Sequence, residues 1–185
     1  MEVKGTAVKS IKDFVDSKYK AQYNNWIQTM PESSQTIMNN AIFANNWYPM
    51  KDAAVEPTKA IAKMFYNNDI KKAALEAGHF SAEQGLKGVY KIFVRIASPN
   101  YIMERAGRVF TSYYSPSDIK VLNKHDNGLT LHITKFPEPE EVIEYRIAGW
   151  CERALEFTNC KNVKANITKS LRNGDALTEI VITWN

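Results

Sequence analysis

Cysteine is scarce in this sequence: Cys151 and Cys160 are its only two, and no C-x-x-C pair occurs. On one helix, nine residues at 1.5 Å rise would part them by roughly 13 Å, too far to bridge without distortion. Reduced thiols in a cytosolic protein follow. Long apolar runs are also missing. Residues 1–10 read M-E-V-K-G-T-A-V-K-S, which holds nothing of signal-peptide length, and no later stretch approaches a membrane span. A soluble, cytoplasmic protein is expected. Charge of one sign is nowhere concentrated. The formal charge is +4, but Lys9, Lys12, Lys18 and Lys20 are interleaved with Asp13 and Asp16, the pattern of a solvated face. Nucleic-acid binding needs a basic stripe, and zinc-finger spacing is lacking as well, so no nucleic-acid partner is expected.

What is present is ordinary globular material, with 44% apolar and 24% charged residues. A chain of 185 residues suffices for one domain with a real core and is short for two. No linker, repeat or low-complexity stretch divides it, so residues 1–185 are expected to form a single domain.

The first half reads as helical. Residues 3–8 suggest a short strand leading into a helix with Val8, Ile11, Phe14 and Val15 on one face. Tyr19, Tyr23, Trp26 and Ile27 continue a second face until Met30-Pro31 interrupts it. A helix over 32–44 follows, with Ile37, Met38, Ala41 and Ile42 as its stripe. Residues 45–49 read as a turn ending on a proline suited to a first helical position. The next helix runs toward Tyr66 with a break or kink at Pro57, and Asn67-Asn68-Asp69 caps another over 70–77.

The second half changes period. Residues 119–122 read as a strand, Asp126-Asn127-Gly128 as a hairpin, and Leu129, Leu131 and Ile133 alternate with Thr130, His132 and Thr134. A helix to about residue 158 buries Ile143, Ile147, Trp150, Cys151 and Ala154. Alternation returns at Val163, Ala165 and Ile167. After a hairpin at Asn173-Gly174, it resumes at Thr178, Ile180, Ile182 and Trp184. The fold class expected is α+β, a helical layer packed on a four-stranded antiparallel sheet.

Three glycines, Gly78, Gly85 and Gly88, stand in one helical stretch, each costing roughly 1 kcal/mol against alanine in a helix interior. Close approach of another element or a ligand is the usual compensation. Ser81-Ala82-Glu83-Gln84 has the form of a capping box. It predicts that Gly78 ends one helix, and that Gly85 and Gly88 thin a face of the next, whose buried stripe is Leu86, Val89, Tyr90, Phe93, Val94 and Ala97. Ser98-Pro99 then starts a helix to about residue 113.

The ordered segments G-H-F-S-A-E-Q-G-L-K-G-V-Y-K-I-F, S-P, Y-Y-S, G-W-C-E-R-A-L-E and N-G-D-A-L-T-E-I-V-I-T-W resemble a family of uncharacterised bacterial proteins first noted in myxobacteria. That family is similar in fold to the 4-vinyl reductase ligand-binding domain, the TRAPP vesicle-tethering subunits and the heme-nitric-oxide-binding domain. The resemblance implies an apolar ligand cavity or a dimer surface built from the helices.

The special chemistry of those relatives does not carry over residue by residue. Where the 4-vinyl reductase pattern places cysteines around its G-D, this chain has Ser170 and Thr178, and hydroxyls are poor zinc ligands. Asp175 is expected to stabilise the turn. The heme-nitric-oxide-binding domain needs a proximal histidine and Y-x-S-x-R. Here Tyr113-Tyr114-Ser115-Pro116-Ser117 ends in serine. His79 has a simpler role expected beside a helix C-terminus, His125 falls in a turn and His132 on the polar face of a strand. Neither cysteine matches the acylated cysteine of TRAPP-like proteins, and no acid, base and nucleophile constellation can be assembled. No cofactor, no metal and no enzymatic activity are expected.

The aromatics remain, eight Phe, nine Tyr and four Trp. Tyr and Trp combine a large apolar face with a polar tip, which suits a pocket. Trp47, Tyr48, Phe80, Tyr90 and Phe93, with Tyr113, Tyr114 and Trp150, are the candidate ligand-binding residues, beside Gly85 and Gly88. The pattern alone leaves open whether they wall a pocket, fill the core or make dimer contacts. The function expected is a non-enzymatic sensor or signalling domain binding a small apolar or aromatic ligand. The alternative is a homodimeric interaction or assembly module without ligand.

Overall fold

Val8, Ile11, Phe14 and Val15 are all fully buried, and their spacing makes helix α1 (Gly5–Lys18) one wall of the core. The computed structural model describes residues 1–86 and 97–185. Ahead of α1 the expected strand is shortened to β1 (Glu2–Lys4), because the helix begins at Gly5. A Cβ there would lie 2.0 Å from the Phe43 carbonyl oxygen, so glycine lets the loop before the next strand pack against the helix start.

After α2 (Tyr23–Gln28) the Met30-Pro31 break falls as expected, and α3 (Glu32–Asn39) follows. This helix stops five residues short of the expected end. Its stripe is correspondingly thin: Met38 is buried, whereas Ala41 is exposed. The expected turn at 45–49 is corrected too. Trp47–Pro49 is strand β2, paired antiparallel with β1. A π-helical turn (Lys51–Val55) then precedes α4 (Glu56–Phe65), with Pro57 in its first turn. The ring there removes an N–H that is unsatisfied in any case.

Helix α5 (Ile70–Gly85) is capped by Asp69, whose Oδ1 accepts the Lys72 N–H at 2.9 Å. It overturns the expected break at Gly78 and the capping box at Ser81. Both residues lie inside one unbroken helix. Gly78 is there for approach, not termination, since a Cβ would sit 2.3 Å from the Arg146 carbonyl oxygen. Gly85 is corrected as well. It is the last residue of α5, and a Cβ would meet nothing within 4 Å, so it thins no contact. Of the expected stripe, Val89, Tyr90, Phe93 and Val94 fall within residues 87–96, outside the described residues, as does Gly88, whereas Leu86 and Ala97 are half-buried in short non-helical turns.

Ser98 accepts the Tyr101 N–H at 3.3 Å and starts α6 (Pro99–Tyr113), as expected. Strand β3 (Tyr114–Ser115) then pairs with β1, completing a small three-stranded sheet of order β2-β1-β3. The four-stranded sheet contains β4 (Asp118–His125), β5 (Gly128–Lys135), β6 (Lys164–Lys169) and β7 (Thr178–Thr183). Its order is β4-β5-β7-β6, antiparallel throughout. Leu129, Leu131, Ile133, Ile180 and Ile182 turn inward, the alternation expected from the sequence.

Helix α7 (Glu141–Glu156) lies between that sheet and α5. Its crossing with α5 is the most extensive helix contact among the described residues. Gly149 mirrors Gly78: a Cβ on it would lie 2.3 Å from the Leu75 carbonyl oxygen. Each helix thus presents a glycine to the other's backbone. The α+β architecture is therefore a helical layer on a four-stranded antiparallel sheet, with a second small sheet tying the N-terminus to the start of the C-terminal half.

Candidate functional site

The α5–α7 crossing brings a recess together beside it. Ala7 from α1, Gly78 and Ser81 from α5, and Phe110 and Tyr113 from α6 form part of the wall. Tyr114 of β3 and Arg146, Ile147 and Trp150 of α7 complete it. Its free space is about 270 Å³, solvent at the mouth included, and its closed part leaves room for about one water. Phe110 and Trp150 meet edge to face, with centroids 5.1 Å apart, which fixes the aromatic side of the wall.

Three of the residues expected at a ligand site, Tyr113, Tyr114 and Trp150, meet here. Four others are placed elsewhere. Phe80 packs edge to face on Phe14 at 5.5 Å within the core beneath α1. Trp47 is partly exposed at the outer strand of the small sheet, with the Lys4 ammonium 4.5 Å from its ring centroid. Tyr48 pairs across β1 with Val3, and Val3 pairs in turn with Tyr114, so Tyr48 and Tyr114 are two strands apart. The Tyr48 hydroxyl accepts the Phe43 N–H at 2.9 Å, a structural bond. Gly85 lies at an open helix end.

The residue that sequence reasoning missed is Arg146. It is 3% exposed, in the middle of the apolar stripe formed by Ile143, Ile147 and Trp150. Its Nε and Nη1 have no hydrogen-bond partner among the described residues. Nη2 reaches the Ala7 carbonyl oxygen and Ser10 Oγ only at 3.5 Å each, the outer edge of hydrogen bonding. Burial pulls the pKa of this guanidinium below its ordinary value, with Tyr114 partly opposing that shift. Burial likewise raises the Tyr113 and Tyr114 phenols, Arg146 partly offsetting the shift at Tyr114. Both phenols are thus held protonated. The signal in the sequence was Arg146 itself, a charge at i+3 from Ile143 and i+4 to Trp150 on the buried face.

A second recess lies on the other side of Ile147, with about 190 Å³ of free space. It holds the buried Glu144 beside Thr178. Ser170 Oγ donates to Glu144 at 2.8 Å, and the Thr178 hydroxyl donates to the same carboxylate. The two positions that replace cysteine in the 4-vinyl reductase pattern are thus brought together, as donors to a carboxylate. Asp175 accepts the Ser170 N–H at 2.7 Å and ties the same turn, where Gly174 adopts φ +91°.

The three histidines are all placed. His79 lies inside α5, not at a helix end, and its Nε2 is 2.8 Å from Glu152 Oε2. His132 Nε2 is 2.9 Å from Glu179 Oε2 across β5 and β7. His125 ends β4, its ring against Gly128. Among the described residues no group of three His, Cys, Asp or Glu could hold a metal ion. No helix there is long and apolar enough to cross a membrane.

Both cysteines are free. Burial, with Glu152 adding to it, pushes the Cys151 thiol far above its ordinary pKa. Burial also raises Cys160, partly offset by its hydrogen bond with the Thr158 hydroxyl at 3.2 Å. Since the thiolate is the nucleophile, a disulfide-exchange reagent at neutral pH is expected to label Cys160 slowly and Cys151 only once denaturant opens the core. Two thiols titrating together in the native protein would contradict the burial of Cys151.

No protein-family model and no curated protein matches the sequence. Solved structures do match in fold. An H-NOX protein from S. oneidensis, in its Fe(II)NO state, superposes with a TM-score of 0.73 at 12% identity, covering 98% of this chain and 99% of that one. The Fe(II) unliganded H-NOX protein from K. algicida gives 0.66 at 14% identity, over 98% and 96%. A mutant of T. tengcongensis H-NOX gives 0.65 at 11%, over 98% and 97%. The chain therefore has the heme-nitric-oxide-binding fold.

Proposed function

We propose that residues 1–185 act as one non-enzymatic domain that binds a small apolar or aromatic molecule in the H-NOX fold and signals its occupancy to a partner in the cytoplasm. The observation that carries this reading is the recess walled by Phe110, Tyr113, Tyr114 and Trp150. It has the aromatic lining and the few polar groups of a ligand site.

The solved H-NOX structures are in Fe(II) and Fe(II)NO states, so the residues here must be weighed against heme. They do not fit it. Axial ligation needs a positioned His, Cys, Met or Tyr. His79 and His132 are engaged by Glu152 and Glu179, and His125 is held in a hairpin. Cys151 and the two recess tyrosines are kept protonated by burial. Ser117, at the place of the motif arginine, spends its hydroxyl on the Tyr114 carbonyl at 2.6 Å. A ligand other than heme is the better fit.

Enzymatic chemistry has little support in the described residues. The Ser170 and Thr178 hydroxyls donate to the buried carboxylate of Glu144, but no histidine or oxyanion-binding group accompanies them among the described residues. An assembly role has one observation behind it: Trp47, which begins the edge strand β2, and Phe43, in the loop before it, are exposed.

Native mass spectrometry, absorption spectroscopy and thermal-shift screening of the purified chain test the proposal together. The expected results are a protein without a Soret band and a rise in Tm with at least one member of a lipid and aromatic panel. No shift across the panel and no retained small molecule would defeat the ligand reading. Light scattering that then reports a stable dimer would favour the assembly role.

A further inference from the structure

We infer that the ligand of this recess carries a carboxylate, and that Arg146 is the group that receives it. The inference rests on the small-ligand reading above and adds the ligand's charge and class.

A guanidinium has five N–H donors and no acceptor. Here it lies almost wholly out of water, and among the described residues Nε and Nη1 are unpartnered and Nη2 has only two contacts, at 3.5 Å. Taking such a charge out of water costs several kcal/mol unless an anion and hydrogen bonds compensate. The chain supplies no such anion among the described residues. Among the described residues the charge-bearing neighbour that acts on Arg146 is Tyr114, and its phenol is held neutral by burial. Glu144, two residues away on α7, cannot serve. Residues at i and i+2 do not face each other on a helix, and Glu144 is bound to Ser170 and Thr178 on the sheet side.

The compensating anion therefore comes from outside. Arginine's planar fork matches a carboxylate through paired N–H donors. Phe110, Tyr113 and Trp150 supply the apolar surface against which the rest of the molecule would lie, toward the open mouth of the recess. The ligand class assigned is a small aromatic or aliphatic monocarboxylic acid.

Titration calorimetry on the full chain tests this with matched probes: benzoate against benzamide, octanoate against octanol, and inorganic phosphate. The carboxylates are expected to bind at least tenfold more tightly than their neutral partners. Arg146→Met should lower carboxylate affinity at least tenfold and leave neutral probes unchanged, and Arg146→Lys, which keeps the charge without the fork, should fall between. Circular dichroism of each variant confirms folding before titration. Equal binding of benzoate and benzamide, with Arg146→Met indifferent, would overturn the carboxylate assignment and leave the small-ligand reading standing. Binding of phosphate with the carboxylates silent would overturn the class. Failure of every probe, charged or neutral, at millimolar concentration would count against the small-ligand reading itself.

Discussion

Gly78→Ala is expected to destabilise the protein by about 3 kcal/mol, near the upper end of what overpacking a tight interior costs. Helix propensity alone predicts the opposite sign, since alanine in a helix interior is favoured over glycine by roughly 1 kcal/mol. The crossing decides. An added Cβ would lie 2.3 Å from the Arg146 carbonyl oxygen and 2.9 Å from the Trp150 nitrogen, and backbone atoms cannot swing aside as a side-chain tip can. Gly149→Ala should behave alike, because its Cβ would meet the backbone of Leu75 at 2.3 Å. The two changes push the same helices apart, so the double variant should lose clearly less than the sum of the singles. Gly85→Ala is the internal control. With nothing within 4 Å of its added Cβ, it should be neutral or stabilising by up to about 1 kcal/mol. Urea denaturation of the four variants reads all of these effects. A stabilised Gly78→Ala would mean that α5 and α7 approach each other less closely than these distances require.

The same glycine shows where sequence reading succeeds and where it stops. Local chemistry was legible: Asp69 and Ser98 cap the helices they were expected to cap, and the alternation over 129–133 and 178–184 places the inner face of the sheet. The S-x-x-Q at Ser81 has the right local form as well, yet α5 runs through it. Gly78 is explained by a helix some seventy residues further along, which no local pattern records. Strands β1, β2 and β3 went partly unseen because two or three residues carry too little periodicity, and because β1 finds its partners far along the chain, Lys4 at Trp47 and Val3 at Tyr114. At the site, Tyr113, Tyr114 and Trp150 were legible as amphipathic aromatics. Arg146 was not, since a stripe is recognised by its apolar members, and a charge within it reads as an exception until its surroundings are known.

That exception sets the last expectation. Without ligand, Arg146→Met should raise stability by about 2 kcal/mol, within the range by which well-packed apolar residues exceed buried charges. Methionine fills much of the same channel without bringing a charge out of water. The groups that lose the guanidinium lose little. Ser10 Oγ already donates to the Ala7 carbonyl oxygen at 2.7 Å, so both remain bonded when the two 3.5 Å contacts vanish. Arg146→Ala should go the other way, because it removes the charge but leaves a void whose lining loses its contacts. Adding benzoate at about 100-fold over the wild-type Kd should narrow the gap between wild type and Arg146→Met by about 1.3 kcal/mol or more, since binding to the folded state alone contributes about 2.7 kcal/mol to wild type and at most about 1.4 kcal/mol to a variant that binds at least tenfold more weakly. Urea titrations with and without benzoate measure both halves. A methionine variant about 2 kcal/mol less stable than wild type without ligand would show that the protein already satisfies the guanidinium. The recess would then have no need of an anion, and stability and binding would no longer oppose each other at this residue.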